Sequence, residues 1–327
     1  MRIGFTYNKK RIKEGDEEAE FDSEETIMTI KRALELHNEV VMIEADEDAF
    51  NKLKNSKLDF VFNTAEGLRG ECRESQIPMY CELLKIHYTG SGPSTLGITL
   101  NKARTKEVLS YYKIPTPRFW VFKDADTEMD VNFPVIVKPI REGSSKGIKN
   151  DSLIKNEKDL RRKLREIIND YKQDAIVEEF LDGREFTVSL IGNKNVEVLP
   201  IVEVRFDFLP GNINKFDSYE AKWIYDNPNS KFDPLICPAK ITKKIEEDIK
   251  KNCVNAFNVL GCRDLCRIDI RLDKKNIPNI LDVNALPGLI PDPKENSRFP
   301  RAAYTKGMKY EELINRILNE AIVRYNL

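Results

Sequence analysis

The sequence predicts an α/β fold that opens with a parallel sheet covered by helices. Three observations carry this expectation. Short apolar runs alternate with helix-patterned segments across the first hundred residues. The 327 residues contain no internal repeat or low-complexity segment, and at about 150 residues per domain that length suggests two or three domains. Hydrophobic residues make up 41% of the chain, enough to fill a sizeable core and to argue against disorder.

The elements follow in order. Residues 3–7 read as a strand and 9–21 as a charged loop. Asp22 is expected to be an N-cap with Glu25 as its capping-box partner, and Ile27, Ile30 and Leu34 form the apolar stripe of the helix behind it. Residues 40–44 and 58–63 are further strands. A helix near 75–84 leads to a fourth strand near 87–89. Strands separated by helices imply a parallel sheet with both faces covered. Residues 102–113 form a short helix, and Ile114-Pro115-Thr116-Pro117 marks a boundary. An apolar strand at 135–138 precedes a Gly/Ser-rich loop at 141–147. A helix at 157–172 and strands at 176–181 and 186–191 come next, with hairpin-like strands to about 206. Residues 208–235 read as loop. A helix at 241–260, strands at 266–272 and 280–283, and a helix at 309–325 complete the chain.

Composition narrows the function. The 53 basic and 54 acidic residues nearly cancel, so nothing electrostatic points to nucleic acid. Only two histidines are present, which disfavours a zinc site and Ser-His or Cys-His catalysis. The six cysteines form no CxxC pair, which favours reduced thiols. The start of the chain does not read as a signal peptide, and no run of 18 apolar residues suggests a membrane span. A cytoplasmic setting is therefore expected.

Two acidic strands carry candidate chemistry. In Arg267-Ile268-Asp269 and Asp282-Val283-Asn284, alternation places Arg267 with Asp269 and Asp282 with Asn284 on common faces. If the strands pair, hard oxygen ligands suited to Mg²⁺ gather on one side. A half-exposed sheet with a polar face is the plainer alternative. The loop Arg141-Glu142-Gly143-Ser144-Ser145-Lys146-Gly147 has the small residues of a phosphate cradle, or it is a flexible turn. Lys138, ending an apolar strand beside that loop, calls for an anion. The stretch from Glu178 to Glu185 is either a nucleoside-binding hinge or a β-turn with surface glutamates.

Taken together and in order, these pieces resemble the D-alanine–D-alanine ligase branch of the ATP-grasp superfamily. The matching stretches are Tyr88-Thr89-Gly90-Ser91-Gly92, Asn101-Lys102, Val135-Ile136-Val137-Lys138-Pro139 and Arg141-Glu142-Gly143-Ser144-Ser145. They continue with Glu178, Glu185-Phe186-Thr187-Val188, Tyr219-Glu220-Ala221-Lys222, Cys237-Pro238-Ala239, Gly261-Cys262, Arg267-Ile268-Asp269 and Asn284-Ala285-Leu286-Pro287-Gly288. The resemblance implies an ATP-grasp fold. It comprises a Rossmann-like amino-terminal domain (1–100), a central α+β subdomain (101–190) and a carboxy-terminal α+β, metal-binding subdomain (191–327).

It also implies roles. Lys102, Lys138 and Lys222 would contact phosphates, with Ser144 and Ser145 in the loop that closes over them. Glu178 and Glu185 would hold adenine and ribose, and the backbone at Glu179 and Leu181 the adenine edge. Asp269, Asp282 and Asn284 would bind Mg²⁺, with Mn²⁺ as a replacement. Arg267 and the Gly288 N–H would stabilise an oxyanion. Ser297 would bind the carboxylate of the second amino acid. The expected activity is ATP-dependent joining of a carboxylate to an amine through an acyl-phosphate, with small amino-acid or peptide substrates and a homodimeric state.

Departures from the family pattern cluster where substrate would sit. Glu66-Gly67 replaces a His-Gly pair, Cys72-Arg73 replaces Asp-Gly, and Trp223 stands where tyrosine is usual, so the usual hydroxyl link cannot form in the same way. Asp282 replaces glutamate, and about four residues are inserted around 291–295. The loop at 9–21 replaces the one carrying the family's amino-terminal glutamate. Among Glu18, Glu20, Glu24 and Glu25, solvated surface charge is the expectation. Arg73 and Arg298 are candidates to hold an additional carboxylate. The substrate pair is either two D-alanines or another amino-acid or peptide pair. A non-catalytic ATP-binding protein of the same fold is a more distant alternative.

Overall fold

The structure, a computed structural model, describes residues 1–12, 16–226, 232–295 and 297–327. Its first layer grows from β1 (Arg2–Tyr7), where Ile3 and Phe5 are fully buried. There follow α1 (Glu24–Glu35), β2 (Glu39–Glu44), α2 (Ala49–Asn55), β3 (Phe60–Asn63), α3 (Gln76–Leu84) and β4 (His87–Tyr88). The strands form one parallel sheet in the order β2-β1-β3-β4. Parallel neighbours need crossover connections, and the three helices supply them.

The start of α1 differs from expectation. Ser23, not Asp22, caps it, its hydroxyl accepting the Thr26 N–H at 3.1 Å. The Asp22 backbone instead bridges to Lys9, across the charged loop. Two further helices run from the sheet edge, α4 (Pro93–Leu100) and α5 (Lys102–Tyr111). Pro93 in the first turn of α4 fits a helix start. Its Thr, Ile and Gly content hid the helix from a propensity reading, and burial of Leu96 and Leu100 overrides that preference.

The second layer contains β5 (Phe119–Phe122), β6 (Val135–Pro139), β7 (Leu153–Ile154), α6 (Glu157–Tyr171) and β8 (Ala175–Glu179). These strands form an antiparallel sheet ordered β5-β8-β6-β7. Leu160, Leu164 and Ile167 of α6, at helical spacing, cover Val135, Val137 and Val177.

The third layer is a six-stranded antiparallel sheet. It uses β9 (Glu185–Gly192), β10 (Glu197–Val198), β11 (Val202–Val204), β12 (Leu235–Ile236), then α7 (Lys243–Leu260), β13 (Asp264–Leu272) and β14 (Pro278–Asn284). The strand path is β12-β11-β9-β13-β14, with β10 on β9. Ile249, Cys253 and Phe257 of α7 pack on Val188, Cys266 and Ile268. The region expected to be loop at 208–235 contains a π-helix, Glu220–Tyr225; residues 227–231 lie outside the described residues. Next to Arg271, Gly183 passes so close to β13 that a Cβ there would meet the Leu272 carbonyl oxygen at 2.2 Å.

Helices α8 (Arg298–Thr305) and α9 (Tyr310–Arg324) join the first and third layers. Leu313, Ile317 and Leu318 of α9 share one core with Ile27, Ile30 and Leu34 of α1 and with Ile191 and Leu265 of the sheet. A buried ion pair locks the same junction. Asp264, fully buried, accepts from Gly90 N–H (2.7 Å), Asn193 Nδ2 (3.0 Å) and both Nε and Nη2 of Arg324 (3.0 and 2.9 Å). Removing one partner of such a pair costs roughly 3–5 kcal/mol, because the other charge is left uncompensated. Asp264→Ala should therefore lower unfolding free energy by about that amount in a urea titration. A loss below about 1 kcal/mol would contradict this account of the junction.

Candidate active site

The floor of the site is set by strand register. Asp269 of β13 pairs with Asp282 of β14 on one side and with Thr187 of β9 on the other. Arg267 lies opposite Asn284. The predicted pairing thus places all four side chains together. Arg267 grips Asp269 bidentately, Nε to Oδ1 at 3.2 Å and Nη2 to Oδ2 at 3.0 Å. Thr187 Oγ1 donates to Asp269 at 2.6 Å and Asn284 Nδ2 at 3.0 Å. Burial opposes the Asp269 charge, but Arg267 and Arg298 outweigh it and hold the carboxyl well below its usual range.

The opposite wall comes from β6 and β8. Neighbouring strands bring Lys138 Nζ to 2.8 Å from Glu178 Oε2, both buried. Burial disfavours the ammonium, yet Glu178 and Asp282 raise the Lys138 pKa overall. Lys106, one helical turn beyond Lys102 and fully buried, stands 3.4 Å from Glu178 Oε1. It donates to Thr116 Oγ1 and the Leu281 carbonyl, both at 3.0 Å. Glu178 Oε1 itself accepts no hydrogen bond, although it is buried. At the far end, Arg271 Nη1 holds Glu185 Oε2 at 3.0 Å, Nε donates to Gly183 O at 3.1 Å and Nη2 to Lys215 O at 2.7 Å. Burial raises the Glu185 pKa, against the pull of Arg271.

These walls enclose a cleft of about 760 Å³ lined by Ile136, Lys138, Glu178, Leu181, Glu185 and Asp269 among others. The Glu179 N–H is already given to the Arg118 carbonyl at 2.8 Å. The Leu181 N–H has no acceptor among the described residues. An orphaned carboxylate oxygen and a free N–H beside an apolar wall suit a flat base that both donates and accepts.

The loop at 141–147 caps this cleft. Ser144 and Ser145 both adopt left-handed backbone (φ 50° and 60°), and Ser145 Oγ donates to Asp217 O at 2.9 Å. Trp223, on the π-helix, donates its indole N–H to the Ser144 carbonyl at 3.0 Å. A donor-only indole thus contacts the loop at the position where the family pattern has tyrosine. Lys222, beside it, is buried, and burial with Arg298 nearby pushes its pKa down to about 8. Lys102 Nζ donates to the Glu142 carbonyl at 2.6 Å and lies 3.5 Å from Asp282.

The amino-terminal layer closes the other end, and here the charged loop departs from expectation. Glu20 is not a solvated charge. Its carboxylate accepts Arg73 Nη2 at 2.7 Å and the Gly143 N–H at 3.0 Å. A side chain at position 143 would displace this carboxylate, since a Cβ there would sit 2.3 Å from Glu20 Oε1. Glu24 and Glu25 are exposed, as expected. Arg73 is fully engaged, donating also to the Arg141 carbonyl at 2.8 Å and lying 3.7 Å from Glu142. Arg298 pairs with Asp217 at 2.6 Å. Ser297 Oγ donates to the Ile290 carbonyl.

A second cavity of about 1180 Å³ is lined by Glu20, Glu66, Glu74, Trp223, Ser297, Arg298 and Gly288, among others. The Gly288 N–H donates to no group among the described residues. The two cavities share Lys102, Glu142, Gly143, Ser144, Lys222, Arg267, Asp282 and Asn284. Arg73 is on neither wall. Sequence reasoning passed over Lys106, Thr187, Asp217, Arg271 and Glu74, and it read Glu20 as surface charge. The i, i+4 repeat from Lys102 and the alternation Arg267, Asp269, Arg271 were readable signals for two of them.

Lys222 gives the site a pH dependence. Its proton leaves near pH 8 in the free protein, and an anion beside it would raise that value. Affinity for a non-hydrolysable ATP analogue should therefore be greatest below pH 8 and fall as pH rises through it. Calorimetric titrations should show this decline in the wild type and a flat profile in Lys222→Met. An equal decline in both would contradict the assignment.

Residues 108–319 match the family model described as D-ala D-ala ligase C-terminus. A D-alanine–D-alanine ligase of Pelotomaculum thermopropionicum is 32% identical over 306 residues, 90% of each chain. An uncharacterized protein of Sinorhizobium fredii, y4sG, is 38% identical over 266 residues, 81% of this chain and 75% of that one. Among solved structures, D-alanine–D-alanine ligase from Bacillus anthracis complexed with ATP is similar at a TM-score of 0.75. It covers 100% of this chain and 99% of that chain at 22% identity, a likeness of fold. On its sequence matches, the chain belongs to the D-alanine–D-alanine ligase family of ATP-grasp enzymes, which are ATP-dependent, ADP-forming ligases.

Proposed function

We propose that the protein uses ATP and Mg²⁺ to convert a substrate carboxylate to an acyl-phosphate, which an amine then attacks to give a peptide bond. The observation that carries this reading is the shared wall between the two cavities. A base fits the first cleft at Glu178 and Leu181, with its ribose toward Glu185. Its phosphates then run toward Lys102, Lys138, Lys222 and the Ser144–Ser145 loop, and a carboxylate in the second cavity meets them there.

Asp269, Asp282 and Asn284 are the residues that would hold Mg²⁺. Two carboxylates and an amide oxygen form a hard donor set of the kind that ion takes, and Asp269 stays ionised in its setting. When bound, the ion neutralises charge on the transferring phosphoryl group. The chain's own residues do the rest. The lysines position the phosphates. Arg267 and the Gly288 N–H meet the negative charge that develops as the amine adds to the acyl carbon. The Trp223–Ser144 bond holds the loop shut and keeps water from the acyl-phosphate. The proposal also includes three domains divided near residues 100 and 190, a homodimer, and a cytoplasmic setting, which the six free cysteines support.

The substrate pair is two D-alanines or another pair joined by the same chemistry. Glu66 in place of the family's histidine favours the second. Phosphate release from ATP and Mg²⁺, screened against single D- and L-amino acids and then pairs with product mass spectrometry, decides between them. D-alanine-dependent release with a dipeptide product would establish the first. Release only with other pairs would establish the second, and silence with every pair would refute the ligase reading.

Arg267→Ala should lower kcat by at least about 10²–10³, because it removes both the charge that meets a later state and the partner that keeps Asp269 ionised. Near-wild-type turnover would remove Arg267 from that role.

A further inference from the structure

The second cavity is lined by more carboxyl groups than cationic side chains. Of its five carboxyl residues other than Glu66 and Glu74, Glu20 is paired with Arg73 at 2.7 Å, Glu142 with Lys146 at 3.2 Å and Asp282 with Lys102 at 3.5 Å, Asp22 accepts from Thr64 at 3.4 Å, and Glu295 is exposed. Glu66 and Glu74 are different. Among the described residues, neither takes part in any hydrogen bond or ion pair through its side chain, yet both line the cavity. Glu74 is only 9% exposed. Ligating oxygens of Glu20, Glu66 and Glu74 all lie within 4.8 Å of one another. Crowding and burial push the Glu66 carboxyl well above its usual range and Glu74 to about 8.

A carboxyl aimed into a cavity without a cation holds its proton, and an ammonium entering beside it restores the charge and pairs with it. An ordinary amino acid entering here brings one ammonium, since its carboxylate must face the phosphate end. That leaves one of the two glutamates unmatched. We propose that this pocket selects a short diamino acid, whose two ammonium groups engage Glu66 and Glu74 beside the Glu20–Arg73 pair. The inference rests on the ligase reading for the direction in which the carboxylate points. The short spacing of the oxygens favours ammonium groups on neighbouring or next-neighbouring carbons over a long, lysine-like arm.

The test is equilibrium binding, which needs no turnover. Calorimetric titrations of the full chain with a non-hydrolysable ATP analogue and Mg²⁺ present would compare 2,3-diaminopropionate and 2,4-diaminobutyrate with their uncharged isosteres, 2-aminobutyrate and norvaline, each as both enantiomers. The diamino acids should bind at least roughly 100-fold more tightly, since the isostere leaves a buried polar group unpaired. Glu66→Gln and Glu74→Gln should each shrink that preference to within about tenfold. Equal binding of isostere and diamino acid by the wild type would overturn the proposal, whatever the variants do. So would Mn²⁺ binding without nucleotide that is lost in Glu74→Gln, because a metal would then be the occupant. Preferential diamino-acid binding with no ADP formed in any amine pair would uphold this pocket assignment and remove the ligase reading instead.

Discussion

The site depends on one partly buried carboxylate staying ionised. Asp269 sits mid-strand in β13, its oxygens met by Arg267, Thr187 and Asn284 from three adjacent strands. An isolated charge there would be neutralised by uptake of a proton. The bidentate guanidinium prevents this, and the register of β9, β13 and β14 delivers the partners. The same contact holds Arg267 in the place where charge would develop. Fold and chemistry thus meet in a single ion pair, and the parallel amino-terminal layer and its helices serve to close a pocket over it.

The rest of the site repeats this logic with opposed charges. Lys138 and Lys106 flank Glu178, Arg271 meets Glu185, and Arg298 meets Asp217. Buried pairs of this kind are weak contributors to stability and strong constraints on geometry once formed, since a missing partner leaves a bare charge. Two places break the pattern. Lys222 is held with a lowered pKa among cations, which suits a residue waiting for phosphate. Glu66 and Glu74 face the amino-terminal cavity without a cation, which suits a residue pair waiting for substrate.

Much of this was legible in the sequence, for physical reasons. The period-2 pattern around Asp269 and Asp282 fixes which residues share a face, and register follows once the strands are neighbours. The four-stranded parallel sheet was readable from alternating strands and helices. What stayed hidden depends on contacts far apart along the chain. Glu20 lies in a charged loop whose composition reads as solvent-facing, and only its approach to Arg73 and Gly143 reveals its place. Trp223 could be read as losing a hydroxyl link, but not as gaining an N–H link to Ser144. Helix α4 was missed because β-branched residues and Gly97 mask a segment held by tertiary burial. Ser23 displaced Asp22 as the cap because both are good caps one residue apart, and sequence spacing alone does not choose between them.

The central claim is that a carboxylate is phosphorylated before the amine attacks. Its most direct test labels the carboxylate of the first substrate with ¹⁸O and follows the label into inorganic phosphate by mass spectrometry. The account predicts that each turnover carries one ¹⁸O from the carboxylate to phosphate. Phosphate released with peptide product but without the label would contradict it.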